Sequence, residues 1–138
     1  MSFITEIKDR LVAQSVGTFT GASRNIFIGA RAVVPAGDGP YLSLVVTPGT
    51  DASRTQNNTA TERPTAQIST RAATYVAAYA MAKAAYDALG GANGLYNLTL
   101  SGTFYVSVVA RQTPGDIGQD AAGRPMLSFN IDTEKQPS

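Results

Sequence analysis

The sequence contains no histidine, no cysteine and no tryptophan. Without cysteine there is no disulfide, no thiolate zinc site and no cysteine nucleophile. Without histidine the commonest general base and the commonest transition-metal ligand are missing, and the many serines cannot join a Ser-His-Asp triad. Charge is also scarce: Asp, Glu, Lys and Arg make up 15% of the chain, against a usual quarter or so. The 11 cations and 10 anions are scattered and leave a net charge of +1, so there is no basic block of the kind that marks a nucleic-acid footprint. No apolar run approaches the ~18–20 residues a membrane span needs. The first residues, Met1 to Glu6, lack the basic and apolar regions of a signal peptide. No membrane association is expected, and synthesis and assembly are expected in a cytoplasm.

Other chemistry fails on spacing. Glu6, Asp9, Asp51, Glu62, Asp87 and Asp132 are dispersed, with no pair placed as acid and base. Asp116, Gly118 and Asp120 lack the ligand spacing and closing glutamate of a calcium loop. Gly90 to Gly94 is glycine-rich but ends a helix, so it offers phosphate no helix N-terminus. The expectation is no metal, no cofactor and no enzymatic activity.

What is present suits one soluble globular domain over residues 1–138, with 43% hydrophobic residues and a mean hydropathy of −0.04. Phe3, Ile4, Ile7, Leu11 and Val12 recur at helical spacing, predicting a helix over 3–14 with Ser2 as N-cap. Asn25–Ala30, with an extension over Arg31–Val34, and Tyr41–Thr47 are strand candidates. The turn residues Pro35–Pro40 between them predict a hairpin. Residues 48–64 hold no large apolar residue. They read as a mobile surface loop or extended hairpin tip, or else as a contact arm that orders on a partner. Arg54, Asn57 and Arg63 are its candidate contact residues. A strand is predicted over 65–70.

A long alanine-rich helix follows over Arg71–Leu89, capped by Gly90-Gly91. Ala72, Val76, Ala80, Ala84 and Ala88 form a small-residue stripe expected to pack on the sheet. Tyr75, Tyr79 and Tyr86 share another face, read as core or interface packing rather than an aromatic ligand box. Strands are predicted over 95–100 and 103–110, with Gly102 a bulge or bend between them. Residues 112–124 read as a polar connection. Met126–Asp132 alternates as a half-buried strand, and 133–138 reads as a polar tail. The fold class is α+β: an antiparallel-rich sheet with two helices packed on one face.

Gln112-Thr-Pro-Gly-Asp-Ile-Gly-Gln-Asp-Ala-Ala-Gly-Arg-Pro-Met-Leu-Ser-Phe-Asn130-Ile resembles the final hairpin of tail terminator and related minor capsid (tail completion) proteins of long-tailed bacteriophages. There a proline-containing turn leads to Gly-x-Asp-x-x-Gly-Arg and then to a strand carrying an asparagine. Gly118, Asp120, Gly123, Arg124 and Asn130 occupy those places. Gln67-Ile-Ser-Thr-Arg71 before an alanine-rich helix is similar to the family's strand-Arg-helix step. The resemblance implies a structural virion protein and an α+β subunit of a homo-oligomeric ring, usually hexameric. Such a ring caps the head-proximal end of the tail tube, stops tube growth and joins the tail to the head connector, or stopper. The implied partners are the chain itself, the tail-tube protein and the connector. DNA would pass through the lumen without sequence-specific binding. The long 48–64 segment departs from the family pattern and leaves open which surface meets the tube.

Candidate interface residues are thus Arg54, Asn57, Arg63, Arg71, Tyr75, Tyr79, Asp120, Arg124 and Asn130. Asp120 is expected to cap backbone amides of a surface turn beside a solvated Arg124, in preference to an ion pair bridging subunits. The alternatives in function are another head–tail joining or tail-tube protein, or a small enzyme or ligand-binding domain using the tyrosine face.

Overall fold

The computed structural model describes residues 2–29, 34–54 and 60–137, with 50–54 and 60 described as backbone only. Helix α1 spans Phe3–Ala13 and α2 spans Tyr75–Ala88. The strands are β1 (Ile26–Ile28), β2 (Tyr41–Arg54), β3 (Ala60–Arg71), β4 (Leu95–Leu100), β5 (Thr103–Ala110), β6 (Gly115–Gln119) and β7 (Pro125–Lys135). They form one sheet in the order β1-β2-β3-β7-β5-β4, with β6 also paired to β7.

Alternation assigns the two sheet faces. Leu42, Leu44, Ala66, Ile68, Phe129, Ile131, Val108 and Tyr105 point inward and share a core with Phe3, Ile7 and Leu11 of α1 and Met81, Ala85 and Tyr86 of α2. Both helices therefore cover the same face. Helix α1 touches β1 and β2 at one end of the strand order and β4 at the other, so the sheet curls around the helix pair.

Local chemistry sets the helix ends. Ser2 caps α1 by accepting the Thr5 amide. Thr74, in an extended conformation, caps α2 by accepting the Ala77 amide at 3.2 Å. At the far end the Gly91 amide reaches back to the Tyr86 carbonyl at 2.8 Å. Gly90 has φ +105°, and a Cβ there would lie 2.6 Å from the Gly94 carbonyl carbon, so only glycine fits. Between β4 and β5, Ser101 (φ 48°) and Gly102 (φ 88°) are both left-handed. That matches the two-residue hairpin turn whose twist suits flanking strands.

Several expectations need correction. The long helix begins at Tyr75, not Arg71: Arg71 is the last ladder residue of β3, opposite Tyr41 and Met126, and the Ala72 amide still donates to the Pro125 carbonyl. The small-residue stripe divides: Ala72 and Ala88 are buried, but Val76 is 77% exposed and Ala80 and Ala84 are exposed. The packed face of the helix is Ala78, Met81, Ala82, Ala85, Tyr86, Ala88 and Leu89. Strands β1 and β2 are parallel rather than a hairpin, with Ile26 opposite Leu42 and Ile28 opposite Leu44. The dozen residues between Ile28 and Tyr41 are enough for the crossover that parallel pairing needs. Val34 lies outside any strand, and Arg31–Val33 of the expected extension lie outside the described residues.

The described parts of 48–64 are strand, continuing β2 and β3 outward as a hairpin whose 55–59 tip lies outside the described residues. The polar connection 112–124 contains β6. The polar tail begins later than expected, because β7 runs on to Lys135. Thr133 and Lys135 are buried, the first donating its hydroxyl to the Pro64 carbonyl at 2.7 Å and the second facing Glu62 at 3.7 Å.

Candidate functional site

Three of the nine candidate residues meet. Arg71 ends β3, while Asp120 and Arg124 flank the turn between β6 and β7, and β3 and β7 are neighbours. The turn is organised by Asp120, whose Oδ1 accepts the amides of Ala122 (3.0 Å) and Arg124 (2.9 Å). Its Oδ2 accepts the Arg124 Nε–H at 2.8 Å and lies 3.6 Å from Arg71 Nε. The amide-capping aspartate expected from sequence is present, but the solvated arginine is not. The Arg124 side chain is 16% exposed and donates to the Gly37 carbonyl. Arg71 donates to the carbonyls of Pro35 and Gly37, and its guanidinium lies over the Tyr41 ring at 5.4 Å. Two arginines and one carboxylate therefore strap residues 35–37 to the end of the sheet. Beneath this strap, on the face away from the helices, Val34, Tyr41, Ser43, Ser69 and Met126 line a small cavity.

The amide of Arg124, then its guanidinium, holds the Asp120 carboxyl below the ordinary aspartate range, against an opposing desolvation effect. A depressed carboxyl contributes stability that is present above its unfolded value and lost as pH falls through the folded one. The strap should thus loosen on acidification below about pH 4. The NMR signals of Gly37 and Asp38 should shift in that window, and D120N should show the shifted positions already at neutral pH. Signals in the parent chain that stay fixed through the acid window would refute this.

The other candidates lie elsewhere. Tyr75 and Tyr79 stack on each other, with ring centroids 6.1 Å apart, on the outer face of α2, 49% and 40% exposed. Tyr86 instead turns inward, edge-on to Phe129 at 5.8 Å. The three rings do not frame one pocket. Asn130 works through its backbone: its carbonyl accepts the Arg111 amide at 2.7 Å, and its amide donates to the Gln112 side chain at 3.1 Å. It bridges the gap between β5 and β6, which lie in line on one side of β7. Arg63 faces Glu134 at 3.8 Å on the open sheet face, in a groove shared with the Arg111–Asp132 pair. Arg54 ends β2, with its backbone alone described, and Asn57 lies outside the described residues. Sequence reasoning missed Pro35, Gly37 and Tyr41. Backbone carbonyl acceptors leave no side-chain signature, and only the Pro-Ala-Gly-Asp-Gly-Pro composition hinted at a segment needing an anchor.

Comparison with known proteins gives a consistent assignment. No curated protein sequence matches the chain. The fold superposes on a chain of a solved particle described as the virion of a native gene transfer agent. The TM-score is 0.65, over 99% of this chain and 96% of that one, at 20% identity. At that identity the likeness speaks for the fold alone. A family model described as bacteriophage tail terminator protein matches residues 21–137, which includes every strand, α2 and the arginine-bound strap. The chain therefore belongs to the bacteriophage tail terminator family, structural proteins of the phage tail.

Proposed function

We propose that this protein is the terminator of its tail. Copies assemble into a ring of six that caps the head-proximal end of the tail tube, stops its growth and joins it to the head connector. The observation that carries this reading is the family match over residues 21–137. The role is structural rather than enzymatic. Subunit and tube contacts are assigned to Arg54, Asn57 and Arg63 of the β2–β3 hairpin, to Tyr75 and Tyr79, to the Arg71–Asp120–Arg124 end of the sheet, and to Asn130.

Two physical features support it. Helix α2 is apolar nearly all round, with Lys83 and Asp87 its only charged residues, and a helix apolar on every side is normally buried on every side. Its outward Tyr75, Val76 and Tyr79 suit a neighbouring subunit. In addition, every lysine and arginine whose side chain is described bonds within its own chain, as in Lys8–Asp9, Arg111–Asp132 and Arg10 on the Ala88 carbonyl. A surface whose cations are already engaged in this way suits a channel through which DNA passes without being held.

Light scattering and negative-stain imaging of the pure protein, with capping of purified tail tubes, test the reading. A strict monomer at high concentration that also fails to cap tubes overturns it, and growth into long tubes makes the protein a tube subunit instead. V76E should leave folding stability within about 0.5 kcal/mol, as for an exposed site. It should weaken assembly at least about tenfold by placing an unpaired charge in a buried contact. Unchanged assembly would remove α2 from the interface.

A further inference from the structure

Arg10 and Arg24 are held singly by backbone carbonyls, whereas the Arg71–Asp120–Arg124 cluster gathers two guanidiniums at one carboxylate. Lys8, Arg63, Lys83, Arg111 and Lys135 each face a carboxylate of their own. Arg71 and Arg124 share one, which among the described residues leaves one positive charge without a paired carboxylate. Asp120 is already engaged by two amides and by Arg124 Nε. Arg71 Nε is buried, with no hydrogen-bond acceptor among the described residues; the Asp120 carboxylate lies 3.6 Å away. The remaining contacts of the two guanidiniums end on neutral carbonyls of Pro35 and Gly37. Those carbonyls belong to a segment in which Pro35, Ala36, Asp38, Gly39 and Pro40 are exposed. A carboxylate offers a guanidinium an opposite charge and often two parallel bonds, which a single neutral carbonyl does not.

We propose that Arg71 and Arg124 form a receiving site for one carboxylate, an Asp or Glu side chain of the next copy in the ring, which enters by displacing the 35–37 backbone from the two guanidiniums. Entry supplies the missing negative charge and an acceptor for Arg71 Nε–H. It also uncovers Ser43, Ser69 and Met126 on the outer sheet face, so occupation of the site and exposure of that face are linked. The identity of the donor rests on the ring reading; the affinity for a carboxylate does not.

The probe is sodium acetate against sodium chloride at equal ionic strength, added to the 15N-labelled full chain. The Nε–H signals of Arg71 and Arg124 and the amides of Gly37 and Asp38 are followed together. All four should move saturably with acetate and not with chloride. R124Q should weaken the acetate effect by about tenfold or more, whereas R124K, which keeps the charge but loses the fork, should weaken it less. R111Q, on the separate Arg111–Asp132 pair, should leave it unchanged. The proposal fails if chloride moves the same signals equally, if the arginine signals move while Gly37 and Asp38 stay fixed, or if R124Q binds acetate as the parent does. Sedimentation of the same samples reads the ring separately. Acetate binding without rings would keep the receiving site and discard the neighbour, and rings without acetate binding would do the reverse.

Discussion

Phe129→Ala should cost about 3–5 kcal/mol of folding free energy, the range for truncating a fully buried aromatic. Phe129 has no exposed surface, sits at the middle of β7 opposite Ile68 of β3, and meets the Tyr86 ring of α2 edge-on. One side chain thus joins the central strand to the helix that covers it, and a truncated residue leaves a gap that neither rigid element can close. Domains of this size are stable by only about 5–15 kcal/mol, so the variant should lose roughly a fifth or more of that margin. Urea unfolding checks this: the midpoint should fall with little change in slope. Ser128→Ala, one residue earlier and on the opposite face, should change stability by less than about 0.5 kcal/mol. A Phe129 loss as small as that would mean the inner face has been misassigned.

The second large effect is expected from Glu6→Ala. Glu6 is fully buried on α1, where its carboxylate accepts the Tyr105 hydroxyl at 2.7 Å and the Thr103 hydroxyl. Burial, and then the carboxylate, push the Tyr105 phenol well above its ordinary value, so it stays a donor across the usable pH range. Removing Glu6 strands that donor at a cost of about 1–3 kcal/mol, added to the lost packing. Tyr105→Phe alone also destabilises, because it leaves a buried carboxylate short of a donor. The double variant should be more stable than the sum of the two singles predicts, by about 0.5–3 kcal/mol. Strict additivity would show that water, not Tyr105, satisfies Glu6.

How far these features could be read from sequence depended on whether the signal was local. Helix α1 was legible because its apolar stripe is interrupted by charges at Glu6, Lys8, Asp9 and Arg10. The burial of Glu6 was not, since its partners lie about a hundred positions away. In α2 alanine occurs on every side, so the sequence contains no contrast from which to choose the packed face. There Met81 and Leu89, the bulky residues, were better guides than the alanines. The start of α2 was misplaced because alanine favours helix wherever it stands, while the extended Thr74 cap and the Arg71 ladder contacts are decided by neighbours. Strand β6 was hidden because Gly-Asp-Ile-Gly-Gln has poor strand propensity and is paired only because β7 offers an open side. The alternation of β7 was plain, although Met126 is buried on the outer face by the strap. The strap itself is tertiary: Asp120 and Arg124 could be picked from the turn motif, but Gly37 is 83 and 87 positions away from them.

The place of β7 has a consequence for synthesis. It follows the other six strands in the chain, yet sits between β3 and β5 and also holds β6. Until it is translated, β1-β2-β3 and β4-β5 are two separate ribbons, each presenting the open edge that β7 later closes. Such edges invite pairing with other unfinished chains. Nascent subunits crowded on one messenger should therefore be prone to wrong strand exchange until β7 emerges, and yield at low temperature should exceed yield at high expression rate for reasons unrelated to the stability of the finished fold.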